Sequence, residues 1–286
     1  MAPLHAYLNG AWVEDRGLSI PIADPGFAMG VTITERLRTF DGRVWRQWDH
    51  RRRLARSAEI VGIDLAAVDE IDAAISEFVT RHEPLRLAAA VDGQPADWAI
   101  VAFATPGRGG EPTRCVHGFL LPFGNWADQY RRGVALRTSR HRQTPAECWP
   151  TELKCRSRMH YYLADREAAA AEPGTRALLL DGDGFVGEAS TANVLAWFGE
   201  TRQIVSPRLE KVLPGVSVLS VADLAPSLGA EFVQRDLAPE EFAAADEVWL
   251  ASTSVCLLPV VRLDGAPIGD GTPGPAFTEA LGAWNA

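Results

Sequence analysis

The chain has 286 residues, of which 47% are hydrophobic and 23% charged, as in an ordinary globular protein of one large or two medium domains. Its formal net charge is −9 at pH 7, which disfavours nucleic acid or an anionic membrane as the main partner. The sequence carries no signal-peptide pattern and no apolar run near the ~20 residues that span a bilayer. Its four cysteines form no CxxC pair. We therefore expect a cytoplasmic protein with reduced thiols and no metal site.

The first half of the chain predicts an α+β unit of about 120 residues. Asn9-Gly10 is a strong hairpin signal inside the first pair of strands. The glycine-rich loop at 106–112 lacks the spacing of a phosphate loop. Helices are predicted at 49–60, with Asp49 as the N-cap, and at 66–82. Strands are predicted at 6–13, 18–22, 31–40, 43–46, 85–91, 98–103 and 115–121.

The second half predicts more strands, with helices added between them rather than in βαβ alternation. Helices are expected at 216–228, 239–244 and the C-terminus, and one helix carries Lys154 or begins just after it and ends at 171. Strands are expected at 133–138, 176–181, 185–188, 192–198, 203–205, 231–237, 247–251 and 257–263. We predict a small N-terminal domain at 1–121, a linker at 122–127 and a large C-terminal domain at 128–286.

Lysine is rare in this chain. Only Lys154 and Lys211 are lysines among the 28 Lys plus Arg residues. Arginine replaces lysine in surface charge and phosphate binding, but its guanidinium stays protonated and cannot attack a carbonyl. A retained lysine is therefore a candidate Schiff-base nucleophile. The alternative is a chance surface lysine, and scarcity alone does not choose between the two.

A second stretch with chemical potential is 184–193. It places the carboxylate of Glu188 at the end of a predicted strand and the amide of Asn193 five residues later. Taken alone, Glu188 is explained equally well as a surface acid at a strand end. Its combination with a rare lysine is what makes this stretch a candidate site.

Two further stretches suit a phosphate group. At 213–217 a glycine turn enters a helix, and N–H groups at a helix start bind anions. Hydroxyl side chains follow a predicted strand at 252–254, and Arg53 offers a bidentate fork. An ordinary turn and a strand cap are the structural alternatives.

Taken in order, these motifs resemble the class IV aminotransferases that use pyridoxal phosphate. That family includes branched-chain aminotransferase, D-amino acid aminotransferase and aminodeoxychorismate lyase. The resemblance covers nearly the whole chain, from residue 8 to about 275. It rests on the opening strand at 7–10, the D-x-G-x-x-x-G segment at 24–30 followed by Glu35, the H-x-x-R-L helix at 50–54, Lys154, the stretches 180–184 and 188–193, the L-x-G turn at 213–217, and the strand at 245–254 with 258–260 and 264–265 after it.

The resemblance implies roles for individual residues. Lys154 matches the lysine that forms the Schiff base with the cofactor and then acts as the general base. Glu188 matches the glutamate that keeps the pyridine nitrogen protonated, so that the ring becomes an electron sink. The remaining cofactor-binding residues that the resemblance implies are Arg53, Asn193, Val216, Ser217 and Thr253.

The resemblance also implies a fold and an assembly. The fold is α+β, of the D-amino acid aminotransferase-like type called fold type IV, with two domains of mostly antiparallel sheet and surrounding helices. The assembly is a homodimer in which loops of the small domain complete the partner's pocket. The partners expected beyond that second copy are an amino acid and a 2-oxo acid.

The substrate is less well specified. Branched-chain enzymes carry Asn-Tyr at the fourth and fifth positions after the lysine, where this chain has Arg158 and Met159. An Arg-hydrophobe pair is closer to the lyase and to some D-amino acid enzymes. The lyase group, however, usually lacks an acid at Glu35, and the paired Arg and His of the D-amino acid group are not evident near 92–95.

Candidate substrate-binding residues are Arg86, Met29 and Ser254. The missing tyrosine has three possible replacements that otherwise pack on their helix, namely His160, Tyr161 and Tyr162. The leading hypothesis is an aminotransferase acting on a branched-chain-like or D-amino acid. The alternatives are aminodeoxychorismate lyase, which releases pyruvate, and a non-catalytic relative, which the presence of Lys154 and Glu188 disfavours.

Overall fold

The computed structural model describes residues 3–90 and 96–284. The chain divides into two compact units, the first formed by Met1–Leu121 with Leu153–Ser157 and the second by Pro122–Glu152 with Arg158–Ala286. The five residues around Lys154 thus belong to the first unit, whereas our domain prediction placed them in the second. The reason is local, because Leu153 packs against the hydrophobic core of the first unit and Cys155 pairs with Ile33.

The first unit contains a six-stranded sheet of order β2-β1-β6-β5-β3-β4, in which every pair is antiparallel. Helices α2 and α3 pack on it over a core that includes Leu37, Phe78 and Ile100. The elements are β1 His5–Leu8, β2 Ala11–Glu14, α1 Pro25–Ala28, β3 Ile33–Phe40, β4 Arg43–Val44, α2 Gln47–Val61, α3 Leu65–Ala89, β5 Trp98–Arg108 and β6 Glu111–Leu120.

The predicted hairpin is confirmed. Asn9 and Gly10 both have positive φ, at 49° and 89°, as a type I′ turn requires. The strand predicted at 18–22 is wrong, because this stretch is irregular. Asp49 is not the N-cap of α2, since that helix begins two residues earlier at Gln47.

The strand predicted at 85–91 is also wrong within the described residues, because α3 continues to Ala89. The buried stripe of this helix does not stop at Phe78. Both His82 and Arg86 are buried at the following positions of the same four-residue spacing, so the helix keeps a face to cover. The last residue of that predicted strand, at position 91, lies outside the described residues.

The second unit is built on a sheet that closes on itself, because β9 pairs with both β8 and β10. The ring runs β10-β13-β14-β7-β8-β9, and β11 and β12 extend it beside β10. Three pairs are parallel, namely β11 with β12, β14 with β7, and β7 with β8, and the others are antiparallel. The strands are β7 Val134–Thr138, β8 Arg176–Leu180, β9 Val186–Ala189, β10 Ala192–Phe198, β11 Gln203–Ser206, β12 Glu231–Gln234, β13 Glu247–Ser252, β14 Cys256–Leu263 and β15 Ala266–Pro267.

Helices cover this sheet, and they are α4 Phe123–Arg132, α5 Met159–Ala171, α6 Val216–Leu224, α7 Pro239–Ala243 and α8 Pro275–Trp284. The sequence missed α4, most of whose first turn occupies the stretch predicted as a linker. Of the two alternatives for the helix near Lys154, the structure has the second, since α5 begins five residues after the lysine. Within 3–90 and 96–284, no helix has the length and apolarity needed to cross a membrane.

Candidate active site

Lys154 lies in an extended segment that the backbone holds in place. Its N–H donates to Ser57 Oγ at 3.1 Å and its carbonyl accepts from Thr34 N at 2.9 Å. Two residues later, Arg156 N donates to Thr32 O at 2.9 Å. These bonds pair the segment with the start of β3, so the lysine backbone is immobilised while its side chain is half-buried.

Beside this segment in the first unit lies a buried ionic network. Glu35 on β3 accepts from Arg53 through both oxygens, at 2.7 Å from Nε and 2.8 Å from Nη2. His50 Nδ1 lies 2.7 Å from the same carboxylate. The side chains of Glu35 and His50 are each 1% exposed, so these are interior polar groups that need partners.

The electrostatics of this network follow from burial and charge pairing. Burial raises the pKa of Glu35, but the charge and hydrogen bonds of Arg53, with help from His50, outweigh it and hold the pKa well below its usual range. Burial lowers the pKa of His50, and the nearby charges of Arg53 and Lys154 add to that effect against the pull of Glu35. A neutral His50 therefore donates through Nδ1–H. Its Nε2 is buried with no hydrogen-bond partner among the described residues.

Glu188 on β9 is a buried carboxylate of the second unit, with 3% exposure. The Tyr161 hydroxyl donates to it at 3.0 Å, and the Leu213 N–H donates to its other oxygen. Burial, and then the charge and hydrogen bond of Glu188, raise the pKa of Tyr161 well above its ordinary value, so the phenol keeps its proton. Two neutral donors thus fix the orientation of the Glu188 carboxylate.

The loop that carries Leu213 is fixed on its other side as well. Asn193 Nδ2 donates to Leu213 O at 2.9 Å. A Cβ at Gly215 would lie 2.1 Å from Asn193 Oδ1, so only glycine allows this approach. The predicted cofactor residues Glu188 and Asn193 therefore meet at one turn, which leads directly into α6.

The start of α6 has the character of an anion site. Val216 is its first residue, and no side chain caps the helix. Ser217 is 2% exposed, and its Oγ is buried without a hydrogen-bond partner in the described part of the chain. Uncapped N–H groups and an unpaired hydroxyl at one helix start fit a phosphate group. Thr253, 9% exposed, and Ser254 lie in the turn that joins β13 to β14.

Two of the predicted substrate-binding residues, Arg86 and Met29, lie in contrasting environments. Arg86 is buried, and its Nε and Nη2 bind Glu83 at 2.8 and 2.7 Å, while Nη1 contacts Asp41 at 3.3 Å and Ala96 O at 3.2 Å. The bonds to Glu83 lie within α3, and those to Asp41 and Ala96 O hold the helix to neighbouring loops of its own unit, so they give no support to substrate binding. Met29 ends α1 and is 77% exposed.

The sequence left Tyr161 undecided between a site contact and packing on its helix, and it did not single out Ser57 or His50 for a role. A signal for His50 was available, because residues three apart on a helix share a face and Arg53 is three residues on. Tyr162, by contrast, is 59% exposed. Of the three candidates to replace the missing tyrosine, only Tyr161 donates to Glu188.

The family model of class IV amino-transferases matches residues 32–263, a range that includes both Lys154 and Glu188. The chain belongs to the class IV aminotransferases. It is therefore a pyridoxal-phosphate-dependent enzyme of that family, and the resemblance inferred from the motifs is confirmed.

Several characterised proteins are similar to the chain. D-alanine aminotransferase of Bacillus licheniformis is 26% identical over 93% of the chain and 91% of its own length. The branched-chain-amino-acid aminotransferase of Salmonella typhimurium is 23% identical over 95% of the chain and 88% of its own length. The chain spans about half, 49%, of the branched-chain-amino-acid aminotransferase-like protein 2 of Arabidopsis thaliana, at 26% identity.

Solved structures agree in fold. The T.th. branched-chain amino acid aminotransferase with pyridoxamine 5'-phosphate has a TM-score of 0.85 at 25% identity, covering 99% of this chain and 93% of its own. The Escherichia coli branched-chain enzyme has a TM-score of 0.86 at 21% identity, covering 99% and 94%. The predicted α+β class of fold type IV is confirmed.

Proposed function

We propose that this enzyme transfers an amino group between an amino acid and a 2-oxo acid, with Lys154 as the covalent attachment point of pyridoxal phosphate. The observation that carries the proposal is the buried Glu188 carboxylate, fixed by Tyr161 and Leu213 N–H in a family member that retains Lys154. Such a carboxylate is the group that a pyridine nitrogen needs in order to stay protonated.

When bound, pyridoxal phosphate supplies a ring that accepts electrons from the substrate α-carbon. The task of Glu188 is to hold a proton at the ring nitrogen through its negative charge. Tyr161 and the Leu213 N–H keep the two carboxylate oxygens from rotating, so that no reorganisation is required when charge develops. Tyr161 can do so at any pH near neutrality because its raised pKa leaves it protonated.

For the phosphate we propose the start of α6. The Ser217 hydroxyl and the N–H groups of Val216 and Ser217 would donate to it, and Thr253 would add a second hydroxyl. The proposed role of Asn193 is indirect, because its amide donates to Leu213 O and thereby holds the turn that leads into α6. Arg53 is proposed from the family resemblance, and its Nε and Nη2 are already bound to Glu35.

Lys154 has two proposed tasks. Its Nζ would be the group that holds the cofactor covalently, as a Schiff base. The same amine would serve as the general base for the proton on the substrate α-carbon. The backbone bonds to Ser57 and Thr34 support this, because they fix the point from which the lysine side chain extends.

We further propose that the substrate is a branched-chain-like or D-amino acid, since the similar proteins are named for both. The enzyme is proposed to act as a homodimer. Three large apolar side chains in the segment before β3, which includes α1, support this, because Ile22, Phe27 and Met29 are 78%, 69% and 77% exposed.

The deciding experiment is an absorption spectrum of the purified enzyme with pyridoxal phosphate, recorded before and after addition of single L- and D-amino acids. We expect one substrate to convert the resting band to the pyridoxamine form, with the 2-oxo acid as product. A band that responds to no amino acid, with pyruvate released from aminodeoxychorismate, would favour the lyase, whose Arg-hydrophobe pattern is present at 158–159. The absence of any cofactor band would contradict the role of Lys154.

A further inference from the structure

The second lysine of the chain also has a defined environment. Lys211 Nζ lies 2.9 Å from Asp181 Oδ2 and 3.1 Å from Asp183 Oδ2 in hydrogen-bonded pairs, and 3.3 Å from Asp236 Oδ1 as an ion pair. It also lies 5.0 Å from the ring centroid of Phe185. A compact ammonium can serve several separate carboxylates, whereas a planar guanidinium suits one carboxylate held in a fork. This explains why a chain that otherwise uses arginine has lysine here.

Asp181 connects this cluster to the strand that carries Glu188. Asp181 follows β8, and its Oδ1 accepts from Asp183 N and Phe185 N, both at 2.9 Å. These bonds make a tight turn from β8 into β9, the strand on which Glu188 lies. A cation bound to Asp181 and Asp183 therefore holds the base of the Glu188 strand.

Lys211 itself connects the cluster to the loop whose backbone N–H donates to Glu188. Lys211 stands two residues before Leu213, whose N–H binds the Glu188 carboxylate. The Lys211 N–H donates to Arg208 O at 3.0 Å, so the lysine lies inside a turn of the same loop. Lys211 thus joins the strand that bears the carboxylate to the loop that bears its donor.

We propose that Lys211 is a positioning residue for the transamination site. By tying the 181–185 turn to the 208–213 loop, it holds the Leu213 N–H on the Glu188 carboxylate and so fixes the angle at which that carboxylate meets the cofactor ring. The inference rests on the proposed function, because Glu188 is assigned its partner there. The competing explanation is a surface ion cluster with no effect beyond the loop.

The test compares Lys211→Met with Arg208→Met in the full-length protein saturated with pyridoxal phosphate. Methionine keeps most of the aliphatic reach of lysine and removes the ammonium, with both its charge and its hydrogen-bond donors. Arg208 is a matched control, because it pairs with Asp236 at 3.3 Å from the same loop but makes one ion pair rather than three. Lys211→Arg asks whether charge alone is sufficient.

Two readouts decide the outcome. Hydrogen exchange of the Leu213 amide should accelerate on the order of 10-fold in Lys211→Met and less than about 2-fold in Arg208→Met, with Lys211→Arg between them. The visible circular dichroism per bound cofactor should change in Lys211→Met and stay at the wild-type value in Arg208→Met, because it reports the setting of the ring rather than stability. Unchanged exchange, or unchanged dichroism with faster exchange, would overturn the proposal.

A milder variant covers the case in which Lys211→Met does not fold. Asp183 is 73% exposed and supplies one of the three carboxylates, so Asp183→Asn should raise Leu213 amide exchange about 2- to 3-fold. No acceleration in that variant would count against the positioning role. A wild-type enzyme without a cofactor band would overturn the proposed function and this inference with it, whereas normal wild-type turnover with unaffected Lys211 variants would overturn this inference alone.

Discussion

Two buried glutamates, one in each compact unit, accept hydrogen bonds from different kinds of donor. Glu35 receives a bidentate guanidinium from Arg53 and a ring nitrogen from His50. Glu188 accepts from two neutral donors, a phenol from Tyr161 and the backbone N–H of Leu213. A guanidinium that binds a carboxylate brings an opposite charge with it. A neutral donor orients a carboxylate without contributing an opposite charge of its own.

The contrast between the donors of Glu35 and Glu188 shows that burial of an acid does not by itself identify a functional residue. We expect Glu35 to matter mainly for folding and Glu188 mainly for chemistry. Lys154 lies beside the Glu35 network, yet we assign it a chemical role. It is therefore the first residue at which to test the assignment of the Glu35 region to folding and of Glu188 to chemistry.

The largest effect is expected at Lys154. Lys154→Ala should fold normally and lower the rate of the amino-acid half-reaction on the order of 1,000-fold or more, because the base for the α-proton is lost. Stopped-flow absorbance of the cofactor band measures this rate. Lys154→Arg is the matched control, since it restores the positive charge but not the titratable amine, and it should be equally inactive. Full activity in either variant would contradict the assigned role.

The comparison itself is tested by replacing each glutamate with glutamine. Glu35→Gln removes the buried negative charge that the half-buried Arg53 binds and should lower the free energy of unfolding by about 3–5 kcal/mol. Glu188→Gln should cost less stability and lower the half-reaction on the order of 100-fold. Urea unfolding and single-turnover rates, measured on both variants, separate the two losses. Equal stability losses with equal rates would remove the distinction between these acids.

The turn beside Glu188 is tested by a single methyl group. Gly215→Ala places a Cβ 2.1 Å from Asn193 Oδ1, so the Asn193 bond to Leu213 must shift, at about 1–3 kcal/mol. Cofactor affinity should fall with it. Gly124→Ala is the matched control, because nothing lies within 4 Å of its added Cβ, and it should be neutral. Thermal unfolding with and without pyridoxal phosphate would reveal the contrast, and parallel behaviour of the two variants would refute it.

A smaller effect is expected when the hydroxyl of Tyr161 is removed. Tyr161→Phe removes one donor to the buried Glu188, at about 1–2 kcal/mol, and should slow the half-reaction roughly 10-fold while the ring still packs. Tyr162→Phe, on the same helix but 59% exposed, should leave the rate unchanged. The rates are measured on fully cofactor-loaded enzyme. If Tyr161→Phe kept the wild-type rate, Leu213 N–H alone would suffice to orient the carboxylate.

The smallest effect concerns pH and belongs to the Glu35 network. Because the folded pKa of His50 lies below 6.5, the unfolded chain binds that proton more readily, and the stability from a neutral His50 is lost as pH falls below about 6.5. His50→Gln should remove this component, at most about 1.4 kcal/mol per pH unit. Comparing urea midpoints of wild type and variant at several pH values cancels the contributions of the other histidines. Identical pH profiles would show that His50 does not titrate this way.

Local pattern was a good guide to single elements. The Asn9-Gly10 hairpin and strand β10 follow from turn chemistry and apolar periodicity, both of which are properties of neighbouring residues. Pattern failed where a distant surface decided the outcome. Helix α3 is longer than predicted because the folded unit buries His82 and Arg86 on one face of the helix. The segment Leu153–Ser157 belongs to the first unit rather than to the predicted second domain because Leu153 packs on a core that is distant in sequence.

The sequence by itself determined the family, the cofactor and the candidacy of Lys154 and Glu188, because those depend on residue types in a fixed order. Tertiary structure alone decided which groups those residues meet. Tyr161 reaches Glu188 across 27 positions of sequence, and Lys211 reaches Asp181 across 30. Only tertiary structure showed that the guanidinium of Arg86, a predicted substrate-binding residue, contacts Asp41 and Ala96 O. The physical reason is that strand register and helix packing, not chain neighbours, bring these polar groups within hydrogen-bond distance.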